Sequence, residues 1–136
     1  MITQTNIKLP AFSRGFHLIT NLVTDALPDL PKSGMINIFI KHTSAGLCIN
    51  ENTDPSVRVD FETIFNKLIP ENDPDYTHIF EGDDDMPAHI KTALTTVSLN
   101  IPIQNHGLAL GIWQGIYLCE FRNMGGRRSI ICTIYQ

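Results

Sequence analysis

Three histidines are the first residues in this chain whose type suggests chemistry. His42 follows an apolar run, and His78 and His89 stand on either side of an acidic loop. Imidazole is a common metal ligand and a proton shuttle near neutral pH. No HExxH motif or other tight ligand spacing is present, so a shared site and three unrelated histidines both stay open. We interpret His17 and His106 as structural or turn residues.

The acidic loop contains three consecutive aspartates, Asp83 to Asp85, just before a predicted helix. Their ordinary role at such a position is to stabilise the positive end of the helix dipole. The functional alternative is a hard-cation site, in which Mg²⁺ held by one or two carboxylates neutralises a departing pyrophosphate. Because His78 and His89 bracket the loop, a pocket shared with the histidines is the more interesting interpretation.

A polar segment offers many hydrogen-bonding groups in a short space: Asn50, Glu51, Asn52, Asp54 and Asp60. We assign Asp54 to a helix cap. If Asp60 faces inward it needs a partner, and we expect that partner to be His42, which would act as acid or base. Glu51 or Asn52 could orient a substrate.

Other polar residues are candidates for binding a substrate. Ser44 lies close to His42, but the GxSxG motif of serine hydrolases is absent, which argues against a serine hydrolase. Lys91 and Arg127 are the obvious cations for holding a phosphate. Neither of the common glycine motifs that bind phosphates or dinucleotides occurs in the chain.

The only tryptophan, Trp113, stands next to Gln114 inside an apolar run that glycines interrupt. A glutamine in such surroundings needs a partner or a ligand. We predict a rigid strand wall in which Trp113 packs and Gln114 presents its amide to a pocket.

Composition excludes several classes of function. The 136 residues, 43% hydrophobic and 18% charged, are typical of one globular domain spanning residues 1–136. A net charge of -4 without a basic cluster argues against nucleic-acid binding. No apolar run approaches the about 20 residues that span a membrane. The low charged fraction suggests that other subunits cover part of the surface.

The cysteines indicate a compartment. Cys48, Cys119 and Cys132 are odd in number, lack CxxC spacing and lie in apolar runs. We therefore predict buried free thiols and a reducing cytoplasm. The N-terminal residues carry no signal-peptide pattern, which agrees with a cytoplasmic location.

The apolar pattern predicts an α+β fold, a compact single domain with a largely antiparallel, sandwich-like β core and two to three helices. Asp54 before Pro55 predicts the start of the clearest helix, and Pro87 can open another. Residues 35–40 predict a strand buried on both faces. Four strand-like segments are predicted to finish the chain: 98–103, 108–113, 115–121 and 129–135. The second and third could form one long bent strand, and hairpin turns are predicted at 105–107 and 123–126.

Several separated motifs resemble those of one family. The motifs read HTSAG at 42–46, NENxDP at 50–55 with Asp60 beyond it, AHIK at 88–91 and GxWQ at 111–114. In this order, and over nearly the whole chain, they resemble the YjbQ-like family. That family is described as the secondary thiamine-phosphate synthase family and also as an uncharacterised protein family.

The resemblance implies an antiparallel β core that assembles as a homotrimer, with a pocket near subunit boundaries. Carried onto this chain, the resemblance implies six site residues: His42, Asn52, Asp60, His78, His89 and Gln114. It also implies that the histidines among them can hold a metal ion. Together with the residue chemistry above, the predicted catalytic residues are His42, Asp60 and Asn52. The predicted substrate contacts are Gln114, Ser44, Glu51 and Lys91, and the predicted ligands of a divalent ion, Mg²⁺ or Zn²⁺, are His42, His78 and His89.

The implied activity joins a pyrimidine pyrophosphate to a thiazole phosphate and releases pyrophosphate. Two alternatives stay open: a metal-dependent hydrolase or lyase of another small substrate, and a trimeric protein that binds a ligand without turnover. The chain departs from the family pattern at Ile112, where a threonine is usual, and at Phe121, where a histidine is usual. Either change could alter the site.

Overall fold

Two antiparallel sheets and three helices make up the fold in the computed structural model, which describes residues 1–136. The helices are α1 (Thr20–Ala26), α2 (Pro55–Leu68) and α3 (Asp85–Leu94). The strands are β1 (Ile2–Lys8), β2 (Gly15–Leu18), β3 (Ser33–Ile40), β4 (Ala45–Glu51), β5 (Ser98–Gln104), β6 (Gly107–Leu108), β7 (Gln114–Glu120) and β8 (Ser129–Tyr135). The predicted α+β class with an antiparallel core is confirmed.

The two sheets face each other across the main hydrophobic core. The larger sheet has the order β1-β8-β3-β5-β6 and the smaller one the order β2-β7-β4. Alternate residues of the larger sheet point inward, including Ile36, Ile38 and Ile101, and they meet Leu47 and Leu118 of the smaller sheet. This alternation follows from the two-residue period of a strand.

Strand β7 is the central strand of the smaller sheet and is covered on both faces. Ile116 and Leu118 belong to the core between the sheets, whereas Tyr117 and Cys119 belong to a second cluster on the opposite face. Helices α2 and α3 cover that second face. The fold therefore has three layers, with the smaller sheet in the middle.

Helix α2 begins where the sequence predicts. The Asp54 side chain accepts a hydrogen bond from the Ser56 amide at 2.9 Å, and Pro55 takes the first helical position. Phe61 and Phe65 of this helix then pack against the ring of Phe16 at centroid distances of 5.2 and 5.3 Å. The capped start thus places two aromatic rings over the middle layer.

Three predicted features are wrong. Within a single chain, strand β3 is not buried on both faces, because Met35 and Phe39 are 39% and 40% exposed. The predicted strand at 108–113 is reduced to the two residues of β6, and Trp113 is 61% exposed in a loop. The turn at 123–126 is not a hairpin, because β7 and β8 belong to different sheets. The turn at 105–107 does connect the paired strands β5 and β6.

The core between the sheets predicts a stability change that can be measured. Ile38 is fully buried there, so Ile38→Ala should lower the free energy of unfolding by about 2–5 kcal/mol through lost burial and an unfilled cavity. Urea unfolding at a fixed protein concentration measures this loss. Leu68→Ala is the matched control, since Leu68 is 67% exposed on α2; similar losses for both variants would contradict the assigned core.

Candidate functional site

One compact group of metal-ligating side chains occurs in the chain: His78, Asp85 and His89. Their ligand atoms lie within 4.8 Å of one another. Asp85 Oδ2 is 2.6 Å from His78 Nε2 and 3.1 Å from His89 Nε2. Both imidazoles therefore converge on a single carboxylate oxygen. We call these three residues the His–Asp–His group.

Two elements supply the His–Asp–His group. Asp85 and His89 lie at positions i and i+4 of α3, so they share one face of that helix. His78 comes from the long loop between α2 and α3, and a cavity of about 410 Å³ opens beside it. The Asp85 side chain is 2% exposed, while those of His78 and His89 are 42% and 32% exposed. The carboxylate is thus at the base of the site, and the two rings face solvent.

The ring of His89 is oriented by the backbone. Its Nδ1 lies 2.9 Å from the carbonyl oxygen of Thr43, and a carbonyl only accepts hydrogen bonds, so Nδ1 carries a proton. In the neutral ring Nε2 then has a lone pair directed at the Asp85 carboxylate. Two acceptors in that position need either a second proton on the ring or a cation between them. A hydrogen bond from the other ring nitrogen to a carbonyl is also the usual arrangement of metal-ligating histidines.

Asp85 is held as a carboxylate by its neighbours. Burial favours the neutral acid, but the hydrogen bond from His78 and the positive charges of His89 and Arg122 outweigh it. The net result is a pKa of Asp85 below its usual value. Arg122 also donates to Asp84 Oδ2 at 2.9 Å and to the Glu81 carbonyl at 3.0 Å. These contacts fix the loop that leads into α3.

His42 is not part of the His–Asp–His group. Its Nε2 accepts a hydrogen bond from the Ser129 amide at 2.8 Å, and its Nδ1 lies 3.4 Å from the Arg128 guanidinium. Burial, and then the charge of Arg128, lower the pKa of His42. The predicted pairing with Asp60 is absent: Asp60 is exposed on α2. His42 is oriented instead by Ser129, the first residue of β8, and by Arg128 just before it.

Lys91 does not face any of the cavities. It is 2% exposed, and its ammonium donates to Asn66 Oδ1 at 2.7 Å. The ammonium also lies 5.9 Å from the centre of the Phe121 ring. Burial lowers the pKa of Lys91. The predicted role of Lys91 as a substrate contact is therefore not supported; it joins α3 to α2.

Three of the remaining predicted residues, Glu51, Asn52 and Gln114, form a second group at the far end of the β4–β7 pair. Glu51 accepts hydrogen bonds from the amides of Thr53 and Asp54. Asn52 donates to the carbonyls of Ile112 and Gln114, each at 3.1 Å. The amide oxygen of Gln114 accepts from the Gly111 amide at 2.7 Å. These side chains mainly satisfy the backbone of two loops.

The two groups are well separated along the middle sheet. Glu51 pairs with Gln114 at one end, and Ala45 pairs with Glu120 at the other. Six residues of extended strand span about 20 Å. Thr43, which orients His89, lies just beyond the second end. Asn52, Glu51 and Gln114 therefore do not meet the His–Asp–His group within one chain. Asn52 and Gln114 line a separate cavity of about 390 Å³ together with Thr20.

Ser44 belongs to a buried ion pair that sequence reasoning missed. Arg128 Nη2 donates to Ser44 Oγ at 3.0 Å and to Glu120 Oε2 at 2.6 Å. Glu120 is fully buried and Arg128 is 5% exposed. The sequence offered one signal, an isolated glutamate within an apolar strand, since a buried carboxylate needs a cation.

The two residues that depart from the family pattern lie in different environments. Phe121 is 1% exposed among aromatic rings, and Ile112 is 81% exposed.

Fold and site together define an α+β protein with two facing antiparallel sheets and a His–Asp–His group at the start of a helix. A sequence model described as UPF0047 protein YjbQ-like matches residues 5–136. The chain belongs to this YjbQ family, which is a family of uncharacterised proteins.

Individual relatives agree with this assignment. The chain is 49% identical to the UPF0047 protein YjbQ of Salmonella typhimurium over 133 residues, which are 96% of each chain. It is 44% identical to the protein of that name in Escherichia coli O157:H7 over the same share of both chains. An uncharacterised conserved YjbQ-family protein of Clostridium acetobutylicum has a similar crystal structure, with a TM-score of 0.83, 37% identity and coverage of 96% of this chain and 99% of that chain. None of the three helices is long and apolar enough to cross a membrane.

The environment of His42 predicts a lowered pKa for its imidazole and a pH dependence of stability. Because the charged form is disfavoured in the folded protein, the pKa of His42 should lie below about 6.5, the usual histidine value. Below that pH the unfolded chain binds more protons than the folded one, so stability should fall as pH decreases through about 6.5. NMR titration of the imidazole resonances gives the pKa directly.

His42→Gln provides the matched variant, because its side-chain oxygen can still accept from the Ser129 amide. The loss of unfolding free energy between neutral and mildly acidic pH should be smaller in His42→Gln than in the unmodified chain. An equal loss in both proteins, or a pKa of His42 above 6.5, would show that the assigned environment is wrong.

Proposed function

We propose that this protein is a metal-dependent enzyme resembling a secondary thiamine-phosphate synthase, in which the divalent ion is held by His78, Asp85 and His89. The observation that carries the proposal is the contact between His89 Nε2 and Asp85 Oδ2. Nδ1 donates its proton to the Thr43 carbonyl, so Nε2 and Oδ2 can lie this close in two ways. Either Nε2 is also protonated, or a cation lies between the two atoms. Two imidazole nitrogens and one carboxylate oxygen form a common ligand set of catalytic Zn²⁺, which keeps a further position open.

The proposed reaction joins the ring nitrogen of a thiazole phosphate to the methylene carbon of a pyrimidine pyrophosphate. The bond from that carbon to the pyrophosphate oxygen breaks, and pyrophosphate leaves with the electron pair. A divalent ion in this position supplies positive charge for the departing oxygens. The chain's own contribution is positional: Asp85 is fixed by Arg122, and His89 is fixed by the backbone.

Metal binding tests the ligand set independently of activity. We expect metal-free protein to bind about one Zn²⁺ per chain in calorimetry. Loss of a partner outside the ligand set typically costs 10–100-fold in affinity. His78→Ala and His89→Ala, which remove ligands, should therefore lose on the order of 100-fold or more.

His106→Ala is the matched control, because His106 lies in the β5–β6 turn and contacts the Leu30 carbonyl. It should bind Zn²⁺ as the unmodified chain does. Absence of stoichiometric binding, or an equal loss in His106→Ala, would remove the proposed centre.

The reaction itself is tested with both substrates and either Mg²⁺ or Zn²⁺. Formation of thiamine phosphate and pyrophosphate should require the metal and should fall to background in His89→Ala. A product level in His89→Ala equal to that of the unmodified chain would refute a role for the His–Asp–His group. If the protein binds the metal but forms no product, the proposed metal centre is retained and this reaction is rejected.

A second candidate function is a metal-dependent hydrolase or lyase of a small substrate with little phosphate. It is favoured because the two cationic side chains expected to hold phosphate, Lys91 and Arg127, are already bound to other groups. Lys91 is buried against Asn66, and Arg127 donates to the carbonyls of Lys8 and Leu9. Turnover of unphosphorylated esters or hydroxy acids by the metal-loaded protein, absent in His89→Ala, would favour this function.

For assembly we propose a homotrimer in which the outer face of the larger sheet contacts neighbouring copies. Strand register places Ile2, Tyr135, Met35 and Pro102 side by side across four strands. Phe39 lies on the same face and is 40% exposed. The central part of this face carries amide, hydroxyl and apolar side chains and no charge, which suits contact with an identical surface better than contact with a charged partner.

Light scattering tests the assembly. We expect a trimer mass for the unmodified chain and a smaller mass for Phe39→Glu, because three copies of a buried carboxylate are costly to desolvate. Ile64→Glu, at a 49% exposed position on α2, should keep the trimer. A monomer mass for the unmodified chain at micromolar concentration would contradict the proposal.

A further inference from the structure

Two of the three thiols lie side by side in the middle layer. Cys119 Sγ donates a hydrogen bond to Cys48 Sγ across a distance of 3.7 Å. Cys119 pairs with Gly46 in the register of β4 and β7, so Cys48 occupies the diagonal position on the neighbouring strand. Both side chains point to the face that the helices cover. Cys132 lies in the other core and has no thiol neighbour.

The Cys48 thiol opens onto an apolar cavity of about 180 Å³. Cys48 is half-buried, whereas Cys119 is buried behind it. The remaining walls come from the middle sheet, from α2 and from the end of α3: Phe16, Asn50, Phe61, Phe65, Leu94 and Thr95. Apolar cavities of about 150 Å³ can hold a benzene molecule. The space is therefore large enough for one small apolar ring.

We propose that Cys48 and Cys119 form a dithiol site for a soft, thiophilic centre that carries one small apolar group. The two sulfurs would bind the centre together, and the apolar group would occupy the adjoining cavity. The site is independent of the His–Asp–His group, because none of its lining residues belongs to that group.

The separation of the sulfurs fits a shared ligand. Two thiolates on one tetrahedral centre, each at about 2.3 Å as in Zn–S bonds, are about 3.8 Å apart, and on a pyramidal centre such as trivalent arsenic they are somewhat closer. The observed 3.7 Å therefore needs little movement of either strand. Soft centres prefer thiolate over the oxygen and nitrogen ligands available elsewhere in the chain.

The two thiols differ in reactivity. The hydrogen bond from Cys119 lowers the pKa of the Cys48 thiol, although burial acts in the opposite direction. The hydrogen bond to Cys48 and burial both raise the pKa of Cys119. Cys48 is thus the first nucleophile, since thiolates and not thiols attack. Once Cys48 holds the centre, Cys119 binds it as the second sulfur ligand.

Phenylarsine oxide is a suitable probe, because it carries a soft trivalent arsenic and a phenyl ring. Two S–H bonds break, two S–As bonds form, and the arsenic-bound oxygen leaves with both protons as one water molecule. The As–C bond remains, and no atom is oxidised or reduced. Intact mass spectrometry should show one phenylarsenic group per chain with the loss of two hydrogens.

The expected adduct survives glutathione and is released by dithiothreitol, because only a dithiol can replace two sulfurs at once. Chelation should prolong its lifetime in glutathione by on the order of 100-fold or more over an adduct held by one thiol. Cys48→Ala and Cys119→Ala should lose the resistant adduct, and Cys132→Ala, the matched control, should keep it.

Peptide mapping of the unmodified chain covers the case in which Cys119→Ala does not fold. After treatment with phenylarsine oxide and unfolding, iodoacetamide should label Cys132 but neither Cys48 nor Cys119. The proposal is overturned if no resistant adduct forms, if it persists in Cys48→Ala, or if Cys132→Ala abolishes it.

Discussion

The ion pair between Glu120 and Arg128 is the interaction on which the arrangement of this molecule depends. Arg128 contacts both carboxylate oxygens, with its Nε 2.7 Å from Oε1 and its Nη2 2.6 Å from Oε2. Glu120 ends β7 in the middle sheet, and Arg128 precedes β8 in the larger sheet. The pair therefore joins the two sheets at one edge of the core. Removal of one partner from such a buried pair is costly, because the other charge stays buried and unpaired.

The surroundings of the ion pair are adapted to it. A side chain on Gly125 would bring its Cβ to 2.3 Å from Glu120 Oε1 and 2.7 Å from the Arg128 guanidinium. Glycine is therefore required where the chain turns from one sheet to the other. Arg128 also donates to the carbonyl of Ser44 at 3.2 Å, so the same guanidinium holds the loop between β3 and β4. This loop carries Thr43, the residue that orients His89.

The ion pair is thus connected to the His–Asp–His group by two routes. One route runs through Ser44 and Thr43 to the Nδ1 atom of His89. The other route runs along the chain from Glu120 to Arg122, whose guanidinium contacts Asp84 and Asp85. Two of the three ligand residues, His89 and Asp85, are thus held by residues far from them in the sequence. A rigid support of this kind is what a metal centre or a binding site needs.

Local features of the sequence predicted the local structure. Asp54 and Pro55 marked the start of α2, because a cap and a proline at the first helical position act on adjacent residues. The last strand was predicted with its observed bounds, Ser129–Tyr135. The glycine turn after Asn123 was misassigned, since a turn sequence does not reveal whether the next strand joins the same sheet. The predicted strand ending at Trp113 was wrong for a related reason: an apolar run with glycines can also form an exposed loop.

The candidate site depended on long-range geometry, which spacing in the sequence does not encode. His78 and His89 were correctly placed near the aspartates, because they bracket one loop. Asp85 rather than His42 joins them, since the first turn of α3 puts Asp85 and His89 on one face. The polar motif around Asn52 has a different explanation. Its side chains bind backbone groups of two exposed loops, and buried or partly buried backbone groups must be paired. A polar motif of this kind can therefore be required by the fold even when it lies at the opposite end of the β4–β7 pair from the loop that orients His89.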